Sequence, residues 1–476
     1  MSTIKRRSFI KNSLLTTAGV SLSANSWGRV MGANDSVRVA TVGFHGQGRS
    51  HIEGFRKLPG VRVVALCDAD KDVLEGEAKK FRDRNEAIET YTDVRKLLEN
   101  KDIDAITTAT PNHWHALVTI WACQAGKDVY VEKPACHEVW EGRKMVEAAR
   151  KYNRIVQVGT QGRSNAALRE AFEWVRSGQL GKIKVARGLC YKRRNSIGKV
   201  SGPQPISASV DYDLWCGPAP KVPLMRERLH YDWHWVWPTG NGDIGNQGIH
   251  QMDAARWALG KAELSPAVLS VGGRFGYIDD GETPNTQFVV HDYSDVLLIF
   301  EVRGLPASAG SEAMDKYRTQ SVGHVIECEN GYLAGSTAYD KDAKVIKQFT
   351  GSGEGHHANF IRAVRSRKVS DLNADILEGH LSSALCHTGN ISHRLGKLVS
   401  PHECLEAIKA DKEAVKTFER FKEHLAANNA DLDQTRVTLG VFLKMDPKAE
   451  RFKDNPKANE LLTREYRKPF VVPDKV

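Results

Sequence analysis

The sequence has few cysteines, and they form no pattern. The eight, Cys67, Cys123, Cys136, Cys190, Cys216, Cys328, Cys386 and Cys404, make no CxxC pair and no zinc-type spacing. That excludes a zinc module and a disulfide-stapled scaffold as the organising principle. Several lie in apolar runs and read as buried thiols. No stretch reaches the roughly 20 apolar residues that a membrane-spanning helix needs. Internal repeats and low-complexity runs are also missing, which excludes solenoids and fibrous arrays. Nor is there a dense basic stripe. The formal net charge is +10, but Lys5, Arg6, Arg7, Lys11 and Arg29 all precede the first acid, Asp35, and the remainder carries +5. The nearest basic run, Lys192-Arg193-Arg194, is three charges on a loop, so a nucleic-acid partner is disfavoured.

What is present is the composition of an ordinary globular protein, 41% hydrophobic and 26% charged, in a 476-residue chain long enough for two or more domains. The start, Lys5-Arg6-Arg7-Ser8-Phe9-Ile10-Lys11, precedes a short, mild apolar stretch at 14–24 rich in Ala, Gly, Ser and Thr. Paired arginines before such a stretch look like a twin-arginine export signal over residues 1–33. Lys5 stands where such signals usually carry Ser or Thr. This predicts a periplasmic protein. With no clear cleavage site, a retained signal acting as a membrane anchor is the alternative. The route carries folded cargo, which suits a protein loaded with a cofactor before export.

From residue 37 to 158, strand and helix patterns alternate, as βαβ units on a parallel sheet require. Strands are expected at 37–42, 61–67, 105–110, 128–132 and 155–158. The first runs into Gly43-Phe44-His45-Gly46-Gln47-Gly48 and then a helix. Gly43 permits the tight turn, Gly48 allows close helix–strand packing, and the helix N-terminus faces a pyrophosphate. His45 stands where a second glycine normally lets the backbone approach the phosphates, and Gly46 beside it takes over that role. Asp68 lies 20 residues past Gly48 at the end of the next strand, placed to accept ribose hydroxyls. Asp70 is a second acid for the same task. An acid there repels a 2′-phosphate, so NAD is favoured over NADP. The fourth strand ends in Glu132-Lys133-Pro134. Proline stops the strand, and Lys133 projects from its carboxyl end, the edge where open α/β sheets bind ligands.

Residues 159–400 read as a second domain. A helix at 167–175 leads into a strand at 183–191. Short β-like runs follow at 268–271, 288–290, 296–300 and 325–328, and helices are expected at 358–366 and 376–395. The segment Gly242-Asp243-Ile244-Gly245-Asn246-Gln247-Gly248-Ile249-His250-Gln251-Met252-Asp253 has helical spacing that puts Asn246, His250 and Asp253 on one face. A histidine near neutral pKa suits proton removal from an alcohol as hydride leaves. Lys133 beside it supplies a base or stabilises a developing alkoxide. Residues 230–237 hold His230, Tyr231, Asp232, Trp233, His234, Trp235 and Trp237. Aromatic faces there suit sugar rings and the polar tips suit hydroxyls. A packed hinge or dimer contact is the alternative. Residues 401–476 are highly charged and read as a helical extension without a motif.

In order and spacing, Gly43 to Gly48, Asp68, Thr110-Pro111-Asn112-His113-Trp114-His115, Glu132-Lys133-Pro134 and the 242–253 segment resemble the Gfo/Idh/MocA oxidoreductases, over residues 37 to about 400. The resemblance implies an N-terminal Rossmann domain followed by an α+β domain with a large, open, mostly antiparallel sheet. One sheet face covers the nicotinamide and the other often supports dimers or tetramers. It implies carbohydrate or polyol substrates, and a tightly held nicotinamide in exported members. Gly43, His45, Gly46, Gln47, Gly48, Asp68, Thr110, Asn112, His115, Glu132 and Lys133 would hold the cofactor. Arg163, Tyr191, Lys192, Trp233, His234, Trp235, Asn246 and His250 would hold substrate. His113 and His115 would face cofactor or substrate, and no metal site is expected. The family pairs the Lys with an Asp and a His one helical turn apart. Lys133 and His250 match, but the Asp position is Asn246, which orients an imidazole without a charge. Asp243 and Asp253 are nearby substitutes; alternatively Asn246 binds a substrate hydroxyl. The expected function is NAD-dependent oxidation or reduction of a sugar or glycoside hydroxyl, with oxidation and elimination at C3 as one fitting cycle. The alternatives are an NAD-dependent glycosidase and a non-catalytic cofactor-binding protein.

Overall fold

In the computed structural model, which describes residues 36–476, the five apolar strands of the first domain become six. They are β1 (Val37–Val42), β2 (Val61–Cys67), β3 (Glu89–Tyr91), β4 (Ala105–Thr108), β5 (Asp128–Val131) and β6 (Val156–Val158), in the order β3-β2-β1-β4-β5-β6. Every pairing is parallel. The strands are near-continuous apolar runs because helices cover both faces. The order reverses between β1 and β4, so the crevice of a doubly wound sheet opens at their carboxyl ends. The export-like segment lies outside the described residues.

The second sheet has twelve strands. Its spine is β7 (Ile183–Tyr191), β8 (Ala267–Gly273), β9 (Thr286–Asp292), β10 (Leu297–Arg303) and β11 (Val322–Cys328), followed by the meander β12 (Gly331–Ala334), β13 (Thr337–Asp340) and β14 (Val345–Gln348). All pairs are antiparallel except β7 with β10. Alternation along β7 sends Ala186 and Cys190 to the face that packs on the helices Gly248–Leu259 and Ile376–Arg394. Val185, Arg187, Leu189 and Tyr191 take the outer face.

The extension differs from the helical cap expected. Helices Pro401–Ile408 and Lys412–Ala427 lie on the outer sheet face, with Phe418, Phe421 and Leu425 against Phe288, Val290 and Ile299. Strands β15 (Lys397–Val399), β16 (Val437–Leu439) and β17 (Leu443–Asp446) lengthen the sheet beyond β8, and β18 (Arg451–Phe452) pairs with β17. Such two- to four-residue strands carry too little periodicity to be read from sequence. Phe470, Val472 and Val476 return to the core of the first domain. A buried charge cluster fastens the helix Lys412–Ala427. Arg187 donates to Glu327 (3.0 Å), Glu413 (2.6 Å) and Thr417 (3.0 Å). All eight cysteines are free, and seven are buried. No described helix is long and apolar enough to cross a membrane.

Candidate functional site

A cleft of about 360 Å³ lies at the carboxyl ends of β1, β4 and β5. At one end is the glycine turn. Gly43 has φ +72°, a Cβ on it would lie 2.8 Å from Thr110, and one on Gly48 would lie 2.1 Å from the Gly43 carbonyl. Gly46 faces open space, so its backbone is accessible. The helix Gln47–Arg56 starts there without a side-chain cap and without an acid in its first turn. Its free N–H groups therefore suit a phosphate. Asp68 accepts the Phe44 and Asp70 amides, each at 3.0 Å, which holds its carboxylate at the cleft. Burial raises its pKa. These features fit a dinucleotide.

The same end is strapped by the second domain. Asp211 N donates to Ala69 O and Lys71 N to Ser209 O, both at 2.9 Å. His230 stacks on His45, with centroids 4.0 Å apart, and its Nε2 lies 3.1 Å from Asp70. Burial first, then His230, lowers the His45 pKa. His45, Asp70 and His230 form a group of metal-capable side chains among the described residues. Their rings are parallel and Asp70 already caps the helix Lys71–Asp83. Leu214 and Trp215 line the same cleft as Asp68. Sequence reasoning missed this strap, because no local periodicity marks a loop that docks on a distant turn.

At the other end stands Lys133, partly exposed, with Nζ 3.1 Å from the Asn246 carbonyl. Glu132 beside it is buried, and His51 Nε2 lies 3.0 Å from its Oε1. Burial opposes ionisation of Glu132, but the His51 hydrogen bond and the charges of His51, Lys133 and His250 outweigh it and hold its pKa at about 2. Thus Glu132 is a fixed anion beneath Lys133. His51, which positions it, carries no sequence signal. Thr110, Asn112, His115, Gln47 and Asn246 all line the cleft. His115 Nε2 lies 2.8 Å from the Thr110 carbonyl and its Nδ1 2.7 Å from that of Pro134, so the ring sits between two strand ends and donates to one of them. His113 is spent on the Trp215 carbonyl at 3.0 Å.

The helix expected through 242–253 is broken at Gln247 into Gly242–Asn246 and Gly248–Leu259. Neither nearby aspartate is free. Asp243 is clamped by Arg194 at 2.9 and 2.7 Å, and Asp253 by Arg163 and Ser382. His250 is partly buried and makes no side-chain hydrogen bond among the described residues. Burial first, then Lys133, lowers its pKa to about 4. It is not among the residues lining the cleft, whereas Trp233 and His234 are.

Three expected substrate residues are placed elsewhere. Tyr191 is buried on the outer sheet face and donates to Glu301 at 2.7 Å, because the strand's alternation puts it with Arg187. Arg163 is buried in its pair with Asp253 and Glu378. Trp235 is buried under Arg194, 5.2 Å from guanidinium to ring. Lys192 is exposed and donates to Gln247 at 2.9 Å.

Comparison with known proteins agrees with this architecture. Residues 37–160 match the NAD-binding Rossmann fold of the Gfo/Idh/MocA oxidoreductase family, and residues 168–425 match its C-terminal alpha/beta domain. A glycosyl hydrolase family 109 protein of Shewanella sp. (strain MR-4) is 31% identical over 172 residues, 31% of this chain and 38% of that protein. The match thus spans well under half of that relative. Levoglucosan dehydrogenase of Pseudarthrobacter phenanthrenivorans is 25% identical over 308 residues, 60% of this chain and 70% of that one. The WlbA dehydrogenase of Bordetella pertussis, solved with NADH and UDP-GlcNAcA, shares the fold, with a TM-score of 0.55 at 18% identity over 74% of this chain and 94% of that one. The chain belongs to the Gfo/Idh/MocA oxidoreductase family.

Proposed function

We propose that the protein is an NAD-dependent oxidoreductase acting on a hydroxyl of a sugar or glycoside. The observation that carries this is Lys133. Among the described residues its ammonium hydrogen-bonds only the Asn246 carbonyl, in the same cleft as the uncapped helix and Asp68. Bound NAD supplies the hydride acceptor. Lys133 orients the substrate hydroxyl and stabilises negative charge developing on its oxygen. Glu132 accepts from the Lys133 backbone N–H at 3.1 Å, and the Asn246 amide, with no hydrogen-bond partner among the described residues, is available to a second hydroxyl. Asp68 and the neighbouring Asp93, both at the ribose end, favour NAD over NADP. The strap from the second domain favours a tightly held cofactor.

The test is to purify the protein without added cofactor and follow the near-ultraviolet absorbance of reduced nicotinamide with a panel of sugars and glycosides. Reduction by one sugar supports the reading. No reduction with saturating NAD across the panel counts against it. The family 109 similarity favours a second reading, net glycoside cleavage by transient oxidation at C3, with hydride returned to the same sugar. Release of the aglycone without added NAD would select it.

We infer periplasmic export from Arg6 and Arg7. Loss of the protein from the periplasmic fraction when both become Lys tests this. A homo-oligomer is also proposed. The extension covers much of the outer sheet face, so β14, where Val345 and Ile346 are 61% and 49% exposed, is an edge left open to it.

A further inference from the structure

We propose that His234, rather than His250, accepts the substrate's proton, at Nε2. This rests on the oxidoreductase reading. His234 shares the cleft wall with Lys133 and Asn246. Its Nδ1 is bonded to the Tyr231 carbonyl. A carbonyl only accepts, so Nδ1 carries the hydrogen, and Nε2 presents a lone pair with no protein partner among the described residues. The ring lies flat on Trp233, centroids 3.6 Å apart and planes 21° apart, which fixes its direction. The turn that delivers it is unusual: Tyr231 has φ +69° and ψ −49°, sparsely populated for a non-glycine residue. Arg194 donates to the Tyr231 hydroxyl at 3.1 Å and holds that turn. Among the described residues, neither ring nitrogen of His250 is held by a hydrogen bond, and His250 does not line the cleft.

Charge does not separate the two histidines, since burial and then Lys133 lower the pKa of His250 as well, to about 4. Burial first, then Lys133 and Arg194 against the pull of the Tyr231 carbonyl, lowers the His234 pKa to about 3. The ring is therefore a neutral acceptor at working pH. In the step, the hydroxyl proton passes to Nε2. The carbinol hydrogen leaves with both electrons of its C–H bond as hydride to the nicotinamide, and the oxygen lone pair closes the carbonyl. The imidazolium then loses its proton to water.

The decisive variant is His234→Asn, whose amide N–H replaces Nδ1 toward Tyr231 but offers nothing in place of Nε2. Cofactor affinity, read by tryptophan quenching, should stay at the wild-type value. Single-turnover nicotinamide reduction should fall about 10²–10⁴-fold. His234→Ala should lose as much and regain part of it with added imidazole, which a purely structural role would not allow. Nitrogen NMR of the wild type should show His234 as the Nδ1–H tautomer. Wild-type turnover in His234→Asn, a loss confined to His250→Asn, or an Nε2–H tautomer each overturns the proposal. If no sugar reduces the cofactor, the function reading fails, and the tautomer still tests His234.

Discussion

The two ends of the cleft are built differently. At the dinucleotide end, backbone does the positioning. A glycine turn, a helix start and one aspartate come from 26 consecutive residues, Gly43 to Asp68, and the strap closes over them. At the reaction end every group is a side chain from a different segment: Lys133 from a strand end, His234 from a short turn and Asn246 from a helix. Backbone motifs survive as local sequence patterns. Side-chain constellations exist only after the second domain has docked. The first end is rigid by construction, and the second is tunable by single substitutions.

The largest effect erases the contrast altogether. His113, His137, His291, His324 and His387 are buried, and burial first of all lowers their pKa values to about 3, 4, 3, 4 and 4. The unfolded chain binds those protons at about pH 6.5, whereas the folded chain does not. Stability is therefore full above that pH and is lost as pH falls toward 4, by about 1.4 kcal/mol per pH unit for each such group. Thermal melts should drop steeply over that window. A flat melting temperature there would show that these histidines are hydrated.

Next, Lys133→Met should separate the ends. Turnover should fall about 10²–10³-fold while NAD affinity stays within a factor of a few. If affinity falls with turnover, the two ends act as one. Gly48→Ala probes the opposite end. Its Cβ meets the Gly43 carbonyl at 2.1 Å, so the turn must shift. The cost is about 1–3 kcal/mol in melts, with weakened NAD binding. Unchanged cofactor titration would mean the turn is not the phosphate site. The smallest effect belongs to His230→Ala, which removes the stack on His45 and the bond to Asp70. NAD release should quicken by about fivefold, the worth of one hydrogen bond near 1 kcal/mol. No change in stopped-flow release would leave the strap without a part in retention.

Much of the fold was legible because β1, β2, β4, β5 and β6 are apolar runs punctuated by glycine, aspartate or proline. Strands β12 to β14 were not: Thr337–Asp340 is largely half-exposed, Val345–Gln348 is a mostly exposed edge strand, and neither sequence alternates cleanly. Lys133 was readable as a strand end. Tyr191 was misplaced because period-two alternation says which residues share a face, not which face meets the cleft. His250 drew notice through its helix, while His234 was grouped among aromatics, since only the folded turn reveals the Tyr231 carbonyl at Nδ1. The break at Gln247 has the same origin: Asn241 to Asp253 has helical spacing, and the interruption is set by packing.

The last described residues also bear on how the molecule is made. Phe470, Val472 and Val476 fill the core of the first domain, and Lys151 bonds to the Val476 carbonyl, 325 residues away in sequence. A ribosome that has delivered the whole Rossmann segment has not yet delivered what completes its interior. The nucleotide-binding half thus waits on a segment 325 residues downstream of Lys151. Its final closure is an event of high contact order, slow to reach and late to become protease-resistant.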